Sequence, residues 1–251
     1  MRYLAAGLLV VLLSCQQQKP KEAAKAPVEY FKVDASTAGS VSGKILFKGK
    51  VPPVKHVDMD EDPACAKLHK SQVIDAPLAV NKNGTLANVF VYVKKGLEGK
   101  HFEPPTTPGT IDQQGCWFEP RVLGLQTGQP FRVTNSDPLT HNIHPRSKAN
   151  REWNQSQPPG EPPLMRKFNF PEVMFRVKCN IHPWMRAWIG VVEHPYFAVT
   201  GENGSFVLPN LPPGTYTIAA WQEELGTQEQ QVTIAASGKI TTDMTFTGDA
   251  K

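Results

Sequence analysis

Three residues in one short stretch of the sequence carry side chains that bind soft metal ions. Cys179, His182 and Met185 stand at the spacing C-x-x-H-x-x-M, directly after a run in which apolar residues alternate. A thiolate, a thioether and two imidazoles form the ligand set of blue-copper electron-transfer sites, because soft sulfur and borderline nitrogen accept both Cu(I) and Cu(II). These residues predict three ligands of such a site, and the fourth must come from another part of the chain.

The segments that must position this loop have the period of β-strands. Apolar residues alternate repeatedly along the chain, and no window of eleven or more residues in the mature chain has the helical three-and-four repeat. Asn203-Gly204 predicts a hairpin turn between residues 197–200 and 205–208. The sequence therefore predicts an all-β fold. The alternating sets are Val41, Ile45 and Phe47; Val89, Val91 and Val93; Val173, Phe175, Val177 and Cys179; Tyr216, Ile218 and Ala220; and Ile240, Met244 and Phe246.

The region around the loop resembles a cupredoxin domain. Residues 101–195 would then form a Greek-key β-sandwich, and the short ligand loop is most similar to the amicyanin type. The resemblance implies one type 1 copper ion as cofactor. The copper ligands that it implies are His141, Cys179, His182 and Met185. It is carried by Phe118-Glu-Pro, Gly128, Phe131, Val133, Asn135, Asp137, His141-Asn142 and Cys179-Asn-Ile-His182-Pro183-Trp184-Met185.

The same resemblance gives three neighbouring residues supporting roles. Asn142 would brace the ligand loops by hydrogen bonds and tune the electron density on the sulfur. Pro183 lacks a backbone N–H, which leaves the thiolate with one fewer hydrogen bond. Trp184 would shield the copper from water.

The rest of the chain resembles a carboxypeptidase-regulatory-like domain, a transthyretin-like (prealbumin-like) β-sandwich. Residues 39–100 and 196–247 would build this second sandwich, with the cupredoxin domain inserted between them; a tandem arrangement is the alternative. The resemblance identifies structure and no chemistry. It is carried by Gly39-Ser-Val41-Ser-Gly43, Ala87-Asn-Val89-Phe-Val91-Tyr-Val93, Asn203-Gly204-Ser-Phe206 and Leu211-Pro-Pro213-Gly214-Thr-Tyr216.

The first residues resemble a bacterial lipoprotein signal. A basic start and an apolar run too short for a stable membrane span end at Leu12-Leu13-Ser14-Cys15. Cleavage after residue 14 would leave Cys15 to carry the lipid, and residues 15–38 would form a flexible tether. An ordinary secretory signal and an amino-terminal membrane helix are the alternatives. In a Gram-negative cell, Gln16 after the cysteine resembles the pattern of lipoproteins sorted to the periplasmic face of the outer membrane.

Two cysteines and one histidine remain near the predicted site. In an oxidising compartment Cys65 and Cys116 are expected to form a disulfide; a second metal site using Cys65 and His69 is the alternative. His144 falls on the opposite strand face from His141, which predicts a solvated surface histidine.

The predicted function is electron transfer between periplasmic redox proteins, such as a cytochrome, dehydrogenase or oxidase. His182 in an exposed loop would carry the electron out through its ring edge. No catalytic residue or small-molecule substrate is predicted, so we do not expect an enzyme. A net charge of +4 without a Lys/Arg cluster argues against nucleic-acid binding. Copper storage or delivery, and a tethered non-redox scaffold, are the alternatives.

Overall fold

The computed structural model describes residues 28–248 of the chain. Regular structure in this range is almost entirely β-strand, which confirms the predicted all-β fold class. The elements are β1 (Gly39–Lys48), β2 (Lys55–His56), α1 (Pro63–Ala66), β3 (Ile74–Asp75), β4 (Phe90–Lys95), β5 (Gly109–Gln113), β6 (Phe118–Glu119), β7 (Val122–Gln126), β8 (Pro130–Asn135), β9 (His141–Pro145), β10 (Gln155–Gln157), β11 (Leu164–Lys167), β12 (Glu172–Lys178), β13 (Arg186–Val192), β14 (Phe197–Val199), β15 (Ser205–Leu211), β16 (Gly214–Gln222), β17 (Gly226–Ile234), β18 (Lys239–Thr241) and β19 (Met244–Thr247).

One sandwich is built from strands at both ends of the described chain. Its first sheet has the order β15-β1-β18, with β19 also pairing with β1, and its second has the order β14-β4-β16-β17. Alternate side chains of both sheets meet in one core, because successive residues of a strand point to opposite faces. Val41, Val91 and Ile218 are fully buried there.

The other sandwich is built from the intervening strands. Its sheets have the orders β10-β9-β12-β13-β7 and β11-β8-β5-β6. Ile111, Phe131, Val177 and Ile189 belong to its core, and all four are fully buried. This sandwich carries the predicted ligand loop, which connects β12 to β13.

A third apolar cluster joins the two sandwiches. Phe90 on β4 packs there with Val122, Met174 and Val192 of the second sandwich. Gly190 gives Phe90 the room to approach, since a Cβ atom at residue 190 would lie 2.7 Å from its ring. A larger side chain at this position would force the two sandwiches apart.

Residues 55–75 form a cover segment over one end of the second sandwich. Strands β2 and β3 pair with each other, and α1 lies between them. Met59 and Cys65 of the segment are buried in the core of the second sandwich. The sequence resemblance had placed residues 39–100 in the first sandwich, whereas this part packs against the second.

The amino-terminal part of the described chain corrects the expected tether, which was to extend to residue 38. The Phe31 N–H donates to the His101 carbonyl at 2.6 Å, and the Phe31 ring meets Phe102 edge-on. Val33 packs against the first core. Apolar side chains thus fix residues 31–38, and the predicted boundary was too late.

Two local strand predictions were wrong. Val173 is exposed, because a bulge between Glu172 and Phe175 gives Met174 a φ of 63° and buries that residue in the cluster between the two sandwiches instead. Asn203-Gly204 forms a turn between two strands of different sheets. The Ile45 N–H donates to the carbonyl of Gly204, so the turn pairs with β1 and crosses the sandwich.

Residues 28–248 contain no helix long and apolar enough to cross a membrane. The predicted signal, residues 1–14, and the lipidation site Cys15 lie outside the described residues.

His194 links the stability of the first sandwich to pH. Its Nε2 contacts the Val93 carbonyl at 2.8 Å, and burial lowers its pKa to about 4. In the unfolded chain the ordinary pKa is 6.5, so between pH 6.5 and 4 the unfolded state binds a proton that the folded state does not. We expect this residue to remove about 3 kcal/mol of unfolding free energy as the pH falls through that window.

The measurement is urea unfolding at several pH values for the wild type and His194→Gln. The variant should lose this part of the acid dependence, whereas His56→Gln, at an exposed histidine, should keep it. Equal acid slopes in wild type and His194→Gln would contradict the assignment.

Candidate metal centre

The loop from residue 179 to residue 185 is closed by its own backbone. The Cys179 N–H donates to the Met185 carbonyl at 3.3 Å, and the Met185 N–H donates to the His182 carbonyl at 3.0 Å. Strands β12 and β13 pair up to Lys178 and Arg186, directly beside the loop. The paired strands therefore hold the loop ends together and turn Cys179 and His182 toward the interior.

His141 reaches the same place from β9. This strand pairs with β12, with His144 opposite Lys178, and with β10, where Gln157 lies opposite His141. His141 is the first residue of β9 and is fully buried. The pairing thus brings it to the loop across a sequence separation of 41 residues from His182.

Three donor atoms converge in a buried space. The Nδ1 atoms of His141 and His182 lie 2.9 Å apart, and the Sγ of Cys179 is 3.8 Å from Nδ1 of His182. One ligand atom from each residue lies within 4.8 Å of the others. All three side chains belong to residues no more than 2% exposed.

Hydrogen bonds change the ionisation of this cluster. Burial alone would raise the pKa of the Cys179 thiol, but hydrogen bonds to His141 and His182 outweigh it and lower the pKa to about 5. Burial opposes protonation of His141, but Asp137 and Cys179 raise its pKa to about 9. The His182 pKa is also raised, with burial opposed by Cys179 and Asp62. At neutral pH the cluster therefore holds a thiolate, the form of cysteine that binds metals.

Each histidine has a carboxylate on its outer nitrogen. Nε2 of His141 lies 2.8 Å from Asp137, and Nε2 of His182 lies 3.0 Å from Asp62. Asp137 also accepts backbone N–H bonds from Gly115 and Cys116 at 2.6 and 2.7 Å. A carboxylate that accepts the Nε2 proton leaves Nδ1 with a lone pair directed at the site.

The donor set fits copper. Both Nε2 atoms lie on carboxylates, so the two Nδ1 atoms face each other at 2.9 Å. In the metal-free cluster a proton on one of them bridges the pair, and a bound cation would replace that proton and take both lone pairs. One thiolate with two neutral imidazoles is a set that suits copper. The geometry brings together the predicted residues His141, Cys179 and His182.

Asn142 occupies the supporting position that the resemblance implied. Its Oδ1 accepts from the Asn180 N–H at 2.7 Å and lies 3.3 Å from the Cys179 sulfur. Its Nδ2 donates to Asn154 at 2.6 Å. Asn142 thus ties the start of the ligand loop to the strand that carries His141.

Three more residues of the loop were predicted to belong to the site. Met185 is fully buried in the core that contains Cys179. Trp184 is partly buried; its ring lies 5.3 Å from the His182 ring, and its Nε1 donates to the Cys116 carbonyl at 3.1 Å. Pro183 is exposed at the tip. Trp184 thus covers one side of His182.

The remaining candidates are not donors of the cluster, although the sulfurs of Cys65 and Cys116 lie within 4.8 Å of a His182 ring nitrogen. Cys65 and Cys116 form a disulfide, so the alternative site with Cys65 and His69 does not exist in this structure. His69 instead contacts the Gly115 carbonyl at 2.8 Å through its Nε2. His144 is partly buried rather than solvated, and contacts Glu152 and Asn180.

The exposed edge predicted for His182 is wrong. The residue is 2% exposed, because Asp62 of the cover segment lies on its Nε2 edge. Sequence reasoning missed Asp62, which is 120 residues away and has no local signal. Asp137 was named from the sequence, but no role was predicted for it. Its position four residues before His141 is the signal that could have suggested a contact with that ring.

The carboxyl-terminal part of the chain matches a known domain family. Residues 189–247 match the family model of the carboxypeptidase regulatory-like domain. Over 58 residues the chain is 38% identical to the probable rhamnogalacturonate lyase A of Aspergillus clavatus, a match that covers 23% of this chain. The chain spans only 11% of the length of that curated relative.

Part of the chain is structurally similar to cupredoxins. A purple cupredoxin from Nitrosopumilus maritimus is 19% identical and matches with a TM-score of 0.29, covering 33% of this chain and 98% of that one. The oxidised P96G mutant of amicyanin is 15% identical with a TM-score of 0.31, covering 40% and 97%. The copper-containing nitrite reductase from Thermus scotoductus is 23% identical with a TM-score of 0.33, covering 40% and 25%. These partial likenesses concern the fold, and what the site can bind follows from its own donor atoms.

Proposed function

We propose that this protein is a one-electron carrier that holds a single type 1 copper ion. His141, Cys179 and His182 would bind the ion, and Met185 would complete the set. When bound, copper supplies a couple between Cu(II) and Cu(I) that exchanges one electron. The observation that carries the proposal is the pair of Nδ1 atoms 2.9 Å apart beside a buried cysteine, each on a ring whose outer nitrogen meets a carboxylate.

The surroundings of the donors favour a carrier over an enzyme. His141, Cys179 and His182 are buried, and Trp184 and Asp62 lie against His182. A substrate would need an approach to the ion, whereas an electron needs only short distances through packed atoms. Rigid ligands also change little between the two oxidation states, which favours rapid transfer.

The partners and location are part of the proposal. The carrier would exchange electrons with redox proteins, such as a cytochrome, a dehydrogenase or an oxidase, in the periplasm. Lipid on Cys15 would anchor it to the membrane, following the signal-like sequence of residues 1–14. The carboxypeptidase regulatory-like part would serve as a structural support.

The experiment is to load the detergent-solubilised full-length protein with Cu(II) and record visible absorption and paramagnetic resonance spectra. An intense charge-transfer band that bleaches on reduction and returns on reoxidation is expected. A protein that holds only Cu(I) and stays colourless would instead indicate storage or delivery. A protein that binds no copper would leave a non-redox scaffold.

Met185 provides a test of the fourth ligand. Met185→Leu preserves the volume of the buried side chain and should cost less than about 1.5 kcal/mol of stability. We expect the absorption band to remain, because Cys179 is unchanged, and the reduction potential to rise by about 59 mV, a tenfold change in the redox equilibrium.

The control is Met165→Leu, since Met165 on β11 is 48% exposed. Cyclic voltammetry of the three copper-loaded proteins makes the comparison. A Met185→Leu variant with the spectrum and potential of the wild type would show that the thioether is not a ligand.

A further inference from the structure

The cover segment is attached to the second sandwich at three places besides its contact with His182. The disulfide joins Cys65 to Cys116, and His69 contacts the Gly115 carbonyl. At its end, Asp75 accepts from the buried Arg121 at 2.9 Å. The segment is therefore held in place at α1 and at two points after it.

Asp62 uses both of its carboxylate oxygens. Oδ1 accepts the Ala64 N–H at 3.0 Å and caps the start of α1, and Oδ2 lies 3.0 Å from Nε2 of His182. The disulfide at Cys65 fixes the turn that begins with this cap. The cover segment thus presents an oriented carboxylate to a ligand ring.

The arrangement at His182 repeats the one at His141. In both cases Nδ1 faces the cluster and Nε2 faces an aspartate, although Asp137 comes from the neighbouring loop and Asp62 from a segment outside the sandwich. Asp137 is 6% exposed, and the side chain of Asp62 is 33% exposed. Two carboxylates therefore lie on the outer nitrogens of the two rings and place negative charge close to one buried cation site.

This charge has a definite effect on a bound ion. A carboxylate that accepts the outer N–H makes the imidazole a stronger donor and fixes the orientation of the ring. Negative charge close to a poorly hydrated ion also stabilises the more highly charged form, because solvent screens buried charges weakly. Cu(II) gains more than Cu(I) from both effects.

We propose that Asp62 is a positioning residue of the metal centre, which holds Nδ1 of His182 toward the donors and biases bound copper toward Cu(II). This inference rests on the proposed function, which it deepens: Asp62 lowers the reduction potential of the carrier. The cover segment is then a functional part of the site.

The test compares Asp62→Asn with Asp60→Asn in the full-length protein. The first removes the charge beside His182 and keeps an oxygen of the same size, whereas Asp60 is exposed on the same segment. In the copper-loaded protein, we expect Asp62→Asn to shift the redox equilibrium about tenfold toward Cu(I), which raises the potential by about 59 mV. Asp60→Asn should leave it within about twofold of wild type, because its exposed charge is screened.

A second measurement uses Zn(II), which has no redox chemistry. Asp62→Asn should weaken Zn(II) binding about tenfold, because the outer partner of a ligand histidine is lost. Nitrogen-15 spectra of the zinc-loaded wild type should show the His182 proton on Nε2. In the Asp62→Ala variant, that proton should no longer exchange slowly with solvent.

The outcomes separate the two proposals. If the zinc measurements give the expected results but the copper-loaded protein shows no reversible couple, the carrier function is contradicted and the positioning role is kept. A reversible couple with equal potentials in Asp62→Asn and Asp60→Asn would overturn the inference and keep the carrier. A His182 proton on Nδ1 in the zinc-loaded protein would also overturn it.

Discussion

Cys179→Ser is expected to abolish the intense visible band of the copper-loaded protein. The band requires a thiolate, and hydrogen bonds to His141 and His182 hold the Cys179 pKa at about 5, so the wild-type sulfur is ionised at neutral pH. A serine hydroxyl is not ionised at neutral pH. We also expect Cu(II) affinity to fall more than about 100-fold, since changing only an outer partner of a ligand costs 10–100-fold.

Absorption spectra and competition with a chelator measure both effects. His144→Gln is the matched control, because His144 is three residues from His141 but contacts Glu152 and Asn180 outside the donor cluster. The control should keep the band and the affinity. An intense band in Cys179→Ser would place the copper at other donors.

Arg121→Met is expected to lower the free energy of unfolding by about 3 kcal/mol, because Arg186 alone is then left to balance the charge of two buried carboxylates. The Arg121 side chain is 8% exposed; it donates to Asp75 at 2.9 Å and to Glu223 at 3.1 Å. Arg186 contacts the same two carboxylates, and Trp188 donates to Glu223 at 3.0 Å. The network joins the cover segment, the second sandwich and the β16–β17 turn of the first sandwich.

Urea unfolding of the metal-free protein is the measurement. Lys94→Met is the control, because the Lys94–Glu229 pair is about 40% exposed at both side chains and solvent screens the interaction, so its loss should change stability little. An Arg121→Met effect as small as that of the control would show that the carboxylates find other partners or water.

Much of the fold was predictable from local pattern. Alternation at Val41 and Ile45, and at Val89 to Val93, marks strands because side chains on a strand face the core at every second residue. The pattern failed at Val173, where one bulge reverses the faces. It also missed the crossing at Gly204, since the same turn residues suit a hairpin and a connection between sheets.

The residues of the site also fall into those that the local sequence predicted and those that it did not. Cys179, His182 and Met185 are within seven residues, so their spacing alone placed them in one loop. His141 was assigned by resemblance, and its contact with His182 arises from the pairing of β9 with β12. The burial of His182 could not be predicted from its loop, because the atom that closes its edge belongs to a distant segment.

The sequence by itself determined the types of donor, the loop that carries most of them and the β-strand character of the chain. Tertiary structure alone decided which nitrogen of each ring faces the site, that Asp62 and Asp137 hold the other, and that Arg121 joins the two sandwiches. The physical reason is the distance along the chain over which each kind of interaction acts. Strand period and turn chemistry act over a few residues, whereas the Asp62–His182 contact spans 120 residues and forms only when the cover segment packs on the folded core.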